Sequence, residues 1–211
     1  MRERILSALT GRPRQVIPED AEAHPFREPS REPPEGRPRL RRAAVLLPLF
    51  EKEGEPHVLL TRRTEEMRSH RGQISFPGGR RDPEDPSLLH TALRETEEEI
   101  GLAARDVRIL GELDDLLTVT DYIVTPYVGI IPHPYPFRVS EREIAEMIEA
   151  PLDAFLNPVG IRVSSWQEYQ GKRYRTYFFN VGPHIVWGAT AKILIQLLEL
   201  AYGFRPPEGE D

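Results

Sequence analysis

One segment, residues 78–102 (GGRRDPEDPSLLHTALRETEEEIGL), restricts the fold and the chemistry of this 211-residue chain more than any other. Residues 88–100 predict an amphipathic helix that ends at Gly101, because glycine readily adopts the left-handed conformation that follows many helices. Residues three and four apart share a helix face, so the carboxylates of Glu95, Glu98 and Glu99 lie on one side. A mostly apolar stripe on another flank is predicted to face the core and is formed by Leu89, Leu93, Thr96 and Ile100.

The clustering of the three carboxylates has an energetic cost. Like charges at positions i and i+4, such as Glu95 and Glu99, destabilise a helix by about 0.2–0.5 kcal/mol. The carboxylates also crowd the C-terminal turn, where the helix dipole disfavours anions. A hard cation such as Mg²⁺ or Mn²⁺ would offset both costs, since it prefers carboxylate oxygens and often bridges to substrate phosphates. The alternative interpretation is a solvated acidic face, the usual reason for a run of charges.

The same segment resembles the signature of the Nudix hydrolases. That signature reads Gly, five residues, Glu, seven residues, Arg-Glu, an aliphatic residue, any residue, Glu-Glu, any residue, Gly and an aliphatic residue. Residues 94–102 match its second half. The resemblance implies an α+β fold of the Nudix type, an α/β/α sandwich around a mixed β-sheet. It also implies Mg²⁺ or Mn²⁺ held by Glu95, Glu98, Glu99 and the backbone carbonyl of Gly79, with Arg94 orienting a neighbouring carboxylate by a charge-assisted hydrogen bond.

The first half of the segment departs from the signature. Counted from Gly79, the acidic position falls on Asp85, and eight residues rather than seven separate it from Arg94. Glu84 is the other candidate for this position. Thr96 also replaces the usual aliphatic residue.

Flanking motifs resemble the coenzyme A pyrophosphatase branch of the family. They comprise residues 59–64, Arg68, Gly72, residues 76–79 and residues 185–194, and that branch also has a one-residue longer box. The resemblance implies hydrolysis of coenzyme A to 3′-phosphoadenosine 5′-phosphate and 4′-phosphopantetheine. Trp187 could stack on adenine, although an aromatic residue before an apolar helix more often belongs to the core.

The reaction needs a group that accepts the proton of the attacking water. Glu98 is the first candidate because it lies within the carboxylate cluster, and Glu143 is the second. Four arginines could bind phosphates by bidentate contacts: Arg62, Arg63, Arg68 and Arg71. The alternative is that they are solvated or paired with Glu65, Glu66 or Asp82.

The rest of the chain predicts one α+β folding unit with an N-terminal arm. Residues 1–40 form a Pro/Arg-rich arm that could begin with a short helix and lie on the body, residues 41–205 the domain and residues 206–211 a tail. Strands are predicted near residues 43–50, 58–62, 73–76, 107–113, 122–131 and 174–181, and helices at residues 142–149 and 190–201.

Composition narrows the partners. The chain has no cysteine, which excludes disulfides, thiolate metal sites and cysteine nucleophiles. A net charge of −6 argues against a nucleic-acid partner, and no apolar run could span a membrane or serve as a secretory signal, so a cytoplasmic location is expected. The partner implied by the resemblance is a small nucleotide such as coenzyme A, and a homodimer stays an open alternative because many relatives form dimers.

Two further functions remain open at the level of sequence. The signature is shared by enzymes that cleave ADP-ribose, dinucleotides or damaged nucleoside triphosphates. A catalytically silent Nudix module that binds a nucleotide is the alternative from a different class, although the three intact glutamates speak against it.

Overall fold

The computed structural model describes residues 1–22, 40–65, 72–157, 160–164, 166–169 and 172–207. Helices α1 to α4 span Arg2–Leu9, Leu88–Ile100, Asp153–Leu156 and Gly188–Tyr202, and a 3-10 turn spans Ala104–Asp106. Strands β1 to β13 span Arg41–Lys52, Glu55–Arg63, Ile74–Ser75, Gly78–Arg80, Arg108–Glu112, Leu116–Leu117, Tyr122–Ile130, Ile144–Pro151, Ile161–Val163, Gln167–Tyr169, Lys172–Tyr174, Tyr177–Val181 and His184–Trp187.

The main sheet is mixed and is centred on β1. Its principal strand order is β3-β2-β1-β7-β5. β1 pairs with β7 in parallel, with β2 in an antiparallel hairpin and with β4 in antiparallel register. β8 extends along the other side of β2. The mixed sheet and its helices confirm the predicted α+β fold.

Side chains alternate along β1 between two apolar layers. Leu46 and Phe50 pack in a cluster with Ile100 of α2. Leu47 and Leu49, which point the opposite way, belong to a larger cluster that includes α4 residues Ile193, Leu194, Leu197 and Leu198. Successive residues of a strand face opposite sides of a sheet, so a continuous apolar run is what a strand covered by helices on both faces requires.

The N-terminal segment lies against the domain. α1 forms where a short helix was predicted, and its Ile5 is fully buried in the larger cluster. Farther along, the backbone N–H of Ile17 donates to the buried carboxylate of Asp115 at 3.0 Å, and Arg42 donates to the same carboxylate at 2.9 Å. Residues 23–39 of the predicted arm and residues 208–211 of the predicted tail lie outside the described residues.

One predicted element is wrong. Residues 142–149 were predicted as a short helix, whereas the structure has a turn followed by β8. Ile144 and Ile148 are both buried, and a spacing of four residues fits a helical face and an alternating strand equally well. Pairing with β2 from His57 to Arg63 decides in favour of the strand. Among the described residues, no helix is both long and apolar enough to cross a membrane.

Candidate active site

The glycine pair of β4 brings the chain close to β1. Val45 is opposite Gly78 and Ala44 is opposite Gly79 in the antiparallel register. Gly78 has φ +144°, and a Cβ added there would overlap the carbonyl oxygen of Ala44. This position therefore requires glycine. The close approach places β4 directly beside α2.

Helix α2 has the predicted limits because both ends are capped. The Ser87 hydroxyl accepts a hydrogen bond from the His90 N–H at 3.1 Å, and Gly101 has φ 70° in the left-handed region. The capped helix packs on β1 and directs its last two turns towards β4. The predicted carboxylates thus meet the glycine pair.

Glu99 is the buried carboxylate of the site. Its side chain is only 3% exposed and accepts from the Gly78 N–H and from Arg63, each at 3.1 Å. Burial raises the pKa of Glu99 to about 7, and the positive charge of Arg63 opposes part of that shift. A buried carboxylate of this kind favours a positive partner.

Glu95 and Glu98 share Arg94. The Arg94 Nη1 lies 2.8 Å from Glu95 and 3.2 Å from Glu98. A Cβ added to Gly79 would overlap the Glu95 carboxylate, so the missing side chain of Gly79 makes room for this group. Burial raises the pKa of Glu95, against the lowering effect of Arg94. Glu98 is 58% exposed and is the carboxylate most open to solvent.

Asp85 takes the acidic position that the sequence left open between Asp85 and Glu84. Its buried carboxylate accepts from Arg94 Nε and Nη2, each at 3.0 Å, and from the Thr91 hydroxyl at 2.8 Å. The Arg94 guanidinium holds the pKa of Asp85 well below its usual range. Glu84 is exposed on the same loop. Asp85 thereby fixes the arginine that holds Glu95 and Glu98.

Glu143 lies near this site but not in a helix. It precedes β8 in a turn, and its carbonyl oxygen accepts from the Thr64 N–H at 2.9 Å. The Glu143 carboxylate lies 3.9 Å from Arg63 Nη2. Arg63 therefore stands between Glu143 and Glu99.

The four arginines predicted to bind phosphate have different positions. Arg63 lines the cavity described below, whereas the Arg62 Nε donates to Glu146 at 2.9 Å and Arg62 does not line that cavity. An ion pair was the alternative interpretation for these arginines, but the partner of Arg62 is Glu146 of β8 rather than one of the acids close in sequence. Arg68 and Arg71 lie outside the described residues.

The donor set fits a divalent cation. Glu95, Glu98, Glu99 and the Gly79 carbonyl supply only oxygen atoms, which hard cations prefer. The room that Gly79 leaves for the Glu95 carboxylate is a second sign of fit. Within the described residues, however, no three acidic or histidine side chains stand grouped as a ready cation site, since Arg94 and Arg63 divide the carboxylates between them.

A cavity of about 540 Å³ adjoins these residues. One part of its wall is formed by β4 and Arg63, and another by β6, the turn of residues 118–120 and β7. The junction of β13 and α4 contributes a third part. The described residues that line the cavity include no acidic side chain and four basic ones: Arg63, Arg80, Arg175 and Lys192.

Two cavity residues were missed or misjudged from the sequence. For Trp187 the sequence favours a core position over stacking on adenine, but the residue is 46% exposed and lines the cavity. Lys192 lies in the flanking motif of residues 185–194, but no role in binding was predicted for it from the sequence. Its signal is that it is the only basic residue of a mostly apolar helix, Gly188–Tyr202.

Comparison with known proteins agrees with this geometry. The model of the NUDIX domain matches residues 39–175, more than half of the chain. The chain is 41% identical over 163 residues to an uncharacterized Nudix hydrolase, NudL, of Photorhabdus laumondii, covering 75% of this chain and 84% of that protein. It is 42% identical over 160 residues to NudL of Yersinia pestis, covering 75% of this chain and 79% of that one.

A solved structure shares the fold. The MutT/nudix family protein of Enterococcus faecalis superposes with a TM-score of 0.55 at 16% identity, covering 81% of this chain and 64% of that chain. The matched family model, the NudL relatives and the glutamate-bearing helix beside its glycine pair lead to one conclusion: the chain belongs to the Nudix hydrolase family.

Proposed function

We propose that this Nudix hydrolase cleaves the diphosphate of coenzyme A, giving 3′-phosphoadenosine 5′-phosphate and 4′-phosphopantetheine. One observation carries the proposal most directly. The cavity beside the carboxylates of α2 is lined by four basic side chains and no acidic one among the described residues, although the whole chain has a net charge of −6. A polyanionic substrate is the ligand that such a lining attracts.

The flanking motifs favour coenzyme A over other diphosphates. Residues 59–64 and 185–194 resemble the coenzyme A branch, and both segments contribute to the cavity, through Arg63 and through Trp187. Arg63 pairs with Glu99 through Nη1, and the same side chain lines the cavity, so its guanidinium lies between the carboxylate and the space for a phosphate. The resemblance and the cavity lining thus support the same class of substrate.

Nudix hydrolases generally use divalent metal ions. In this chain Glu95, Glu98, Glu99 and the Gly79 carbonyl would hold Mg²⁺ or Mn²⁺. When bound, such an ion neutralises phosphate charge and lowers the pKa of a coordinated water. Asp85 and Arg94 serve as positioning residues, because they fix Glu95 and Glu98.

The attacking water gives a proton to a carboxylate. The oxygen of that water bonds to phosphorus, and the anhydride P–O bond to the departing phosphate breaks. Glu98 is the proposed base, since it is the most exposed carboxylate of the group and is held by Arg94. Glu143 is the second candidate, because its carboxylate lies 3.9 Å from Arg63, which also pairs with Glu99. The structure describes two of the four predicted arginines, Arg62 and Arg63, and we propose that Arg63 binds the phosphate.

The first experiment is an end-point assay with coenzyme A and Mg²⁺ or Mn²⁺, with products identified by mass spectrometry. We expect equal amounts of 3′-phosphoadenosine 5′-phosphate and phosphopantetheine. ADP-ribose, a dinucleotide and a nucleoside triphosphate are tested in parallel. Equal or faster cleavage of ADP-ribose would remove coenzyme A as the substrate, and no cleavage of any diphosphate would leave only nucleotide binding.

A further inference from the structure

The junction of β13 and α4 contributes a distinct part of the cavity wall. Trp187 ends β13, Gly188 turns the chain with φ 65°, and Lys192 lies in the second turn of α4. The Thr190 hydroxyl donates to the Ile74 carbonyl of β3 at 3.0 Å, which holds the start of α4 against the main sheet. Trp187 and Lys192 therefore have a fixed position in the wall.

Lys192 is a cation without a counter-charge in the described part of the chain. Its ammonium makes no ion pair and no hydrogen bond with any described residue, and the described cavity lining contains no carboxylate. The Lys192 side chain is exposed, and desolvation by the surrounding protein lowers the pKa of its ammonium. Arg63, by comparison, is already paired with Glu99 at 3.1 Å. Lys192 is therefore suited to pair with an anionic group of a ligand.

Trp187 offers an aromatic surface in the same wall. Its ring stacks at one side on Phe178, with centroids 6.3 Å apart and an interplanar angle of 23°. The indole is nevertheless 46% exposed, which is unusual for so large an apolar group. Stacking of a nucleobase on an aromatic side chain stabilises binding by about 1–3 kcal/mol per base. The ring is suited to one more flat partner.

These two side chains together specify a ligand with a flat ring and a phosphate. The reacting diphosphate belongs to the other part of the wall, where β4 and Arg63 meet the carboxylates of α2. A cation at the β13–α4 junction is then suited to a further phosphate that does not react. The pantetheine half of coenzyme A is uncharged and has no aromatic ring, so it would satisfy neither residue.

We propose that the β13–α4 junction binds the 3′-phosphorylated adenosine of the substrate, with Trp187 stacking on adenine and Lys192 pairing with the 3′-phosphate. This assignment rests on the proposed function and makes Lys192 and Trp187 specificity-determining residues. It assigns no chemical step to either side chain.

The test for Lys192 compares coenzyme A with dephospho-coenzyme A, which lacks the 3′-phosphate. In Lys192→Met the side chain keeps most of its length and its flexibility, and it loses its charge. We expect the ratio of kcat/KM for coenzyme A to kcat/KM for dephospho-coenzyme A to fall by about tenfold or more, as for other hydrogen bonds to charged groups. Lys52→Met, at a lysine paired with Glu149 outside the cavity, is the matched control and should keep the wild-type ratio. An unchanged ratio in Lys192→Met would overturn the assignment.

The test for Trp187 measures binding rather than turnover. Calorimetric titration with adenosine 3′,5′-bisphosphate, in the absence of metal, should give a dissociation constant raised about tenfold in Trp187→Ala and within about threefold of wild type in Trp187→Phe. Ile185→Ala is the control, because Ile185 is exposed on the same strand but does not line the cavity. Wild-type affinity in Trp187→Ala would contradict the stacking.

The two proposals can fail separately. Wild-type protein that hydrolyses coenzyme A, combined with an unchanged Lys192→Met ratio, refutes the subsite and keeps the function. Wild-type protein that binds the bisphosphate through Trp187 without cleaving coenzyme A refutes the function and keeps the subsite. Absence of both hydrolysis and binding refutes both.

Discussion

Asp85 shows how one buried side chain organises several exposed ones. It accepts hydrogen bonds from Arg94, from the Thr91 hydroxyl and from the Asp82 N–H at 3.0 Å. Through these contacts it joins the loop after β4 to the first half of α2. The sequence identifies the acidic character of this position, but its longer spacing leaves two candidates, and only packing distinguishes the buried Asp85 from the exposed Glu84.

We expect Asp85→Asn to destabilise the protein by about 3 kcal/mol, because a buried charge partner of Arg94 is lost. Glu84→Gln should change the free energy of unfolding by less than about 0.5 kcal/mol, as at other surface positions. Urea unfolding at neutral pH measures both. Equal effects of the two substitutions would show that Asp85 is not the acidic residue that holds Arg94.

The same carboxylate predicts a pH dependence. The folded state holds the pKa of Asp85 below its unfolded value of about 3.9, so its contribution to stability is fully present above that pH. The contribution is lost as the pH falls towards the folded pKa. We therefore expect the difference in unfolding free energy between wild type and Asp85→Asn to be constant from about pH 6 to pH 5 and to narrow below about pH 4. A difference that widens on acidification would contradict the assigned sign.

Substitution of Glu98 tests its proposed role in catalysis. Glu98→Gln removes the proposed base and a metal ligand, so we expect kcat to fall by at least about 100-fold. Its side chain is 58% exposed, so the free energy of unfolding should change by less than about 0.5 kcal/mol. Glu97→Gln, at the exposed neighbouring residue, is the control and should keep the wild-type rate. Normal turnover in Glu98→Gln would remove Glu98 as base and as ligand.

At the scale of elements, the sequence predicts best where local signals agree. α2 has an amphipathic pattern, Ser87 at its N-cap and Gly101 at its C-cap, and its limits match the prediction. β8 lacks such agreement, because the spacing of Ile144 and Ile148 suits a helix or a strand and the partner strand is far away in the chain. Sheet pairing is a tertiary interaction that overrides local preference.

The cavity was harder still to foresee from the sequence. Its wall combines β4, β6 with the turn of residues 118–120, and the β13–α4 junction. These parts are distant in the chain, and no periodicity relates them. Trp187 illustrates the difficulty, because its apolar character is typical of core residues and only the fold shows that it faces open space.

Helix α1 offers a test of how firmly the N-terminal segment belongs to the domain. Ile5 is fully buried, whereas its neighbour Leu6 is 37% exposed. We expect Ile5→Ala to lower the free energy of unfolding by about 2–4 kcal/mol, since it leaves a cavity in the larger core cluster. Leu6→Ala should cost less than about 1 kcal/mol. Similar small losses for both, in denaturant titrations, would mean that α1 is only loosely attached.

At the scale of the whole molecule, charge is distributed unevenly. The chain is acidic overall, yet the described cavity lining has only basic ionisable side chains apart from tyrosine. Opposite charge near the site draws a polyanion from solution, and salt screens this attraction. We expect the KM for coenzyme A to rise by about three- to tenfold between 0.05 and 0.5 M KCl at fixed metal concentration.

An uncharged osmolyte that leaves ionic strength unchanged is the control for this measurement. It should leave KM near its value at low salt. A KM that does not respond to KCl would indicate that the basic lining contributes little to substrate capture.

The two-sided burial of β1 has a consequence for how the sheet finds its alignment. In a sheet with one wet face, sliding a strand by one residue would bury polar side chains, and that penalty fixes the alignment. Here Leu46 and Phe50 would merely exchange faces with Leu47 and Leu49. The hydrophobicity of these side chains alone therefore cannot distinguish the correct alignment from the shifted one. The close approach of β4 supplies part of the missing discrimination, because a shift that brought Pro77 to the place of Gly78 would press a side chain against Ala44 and Val45.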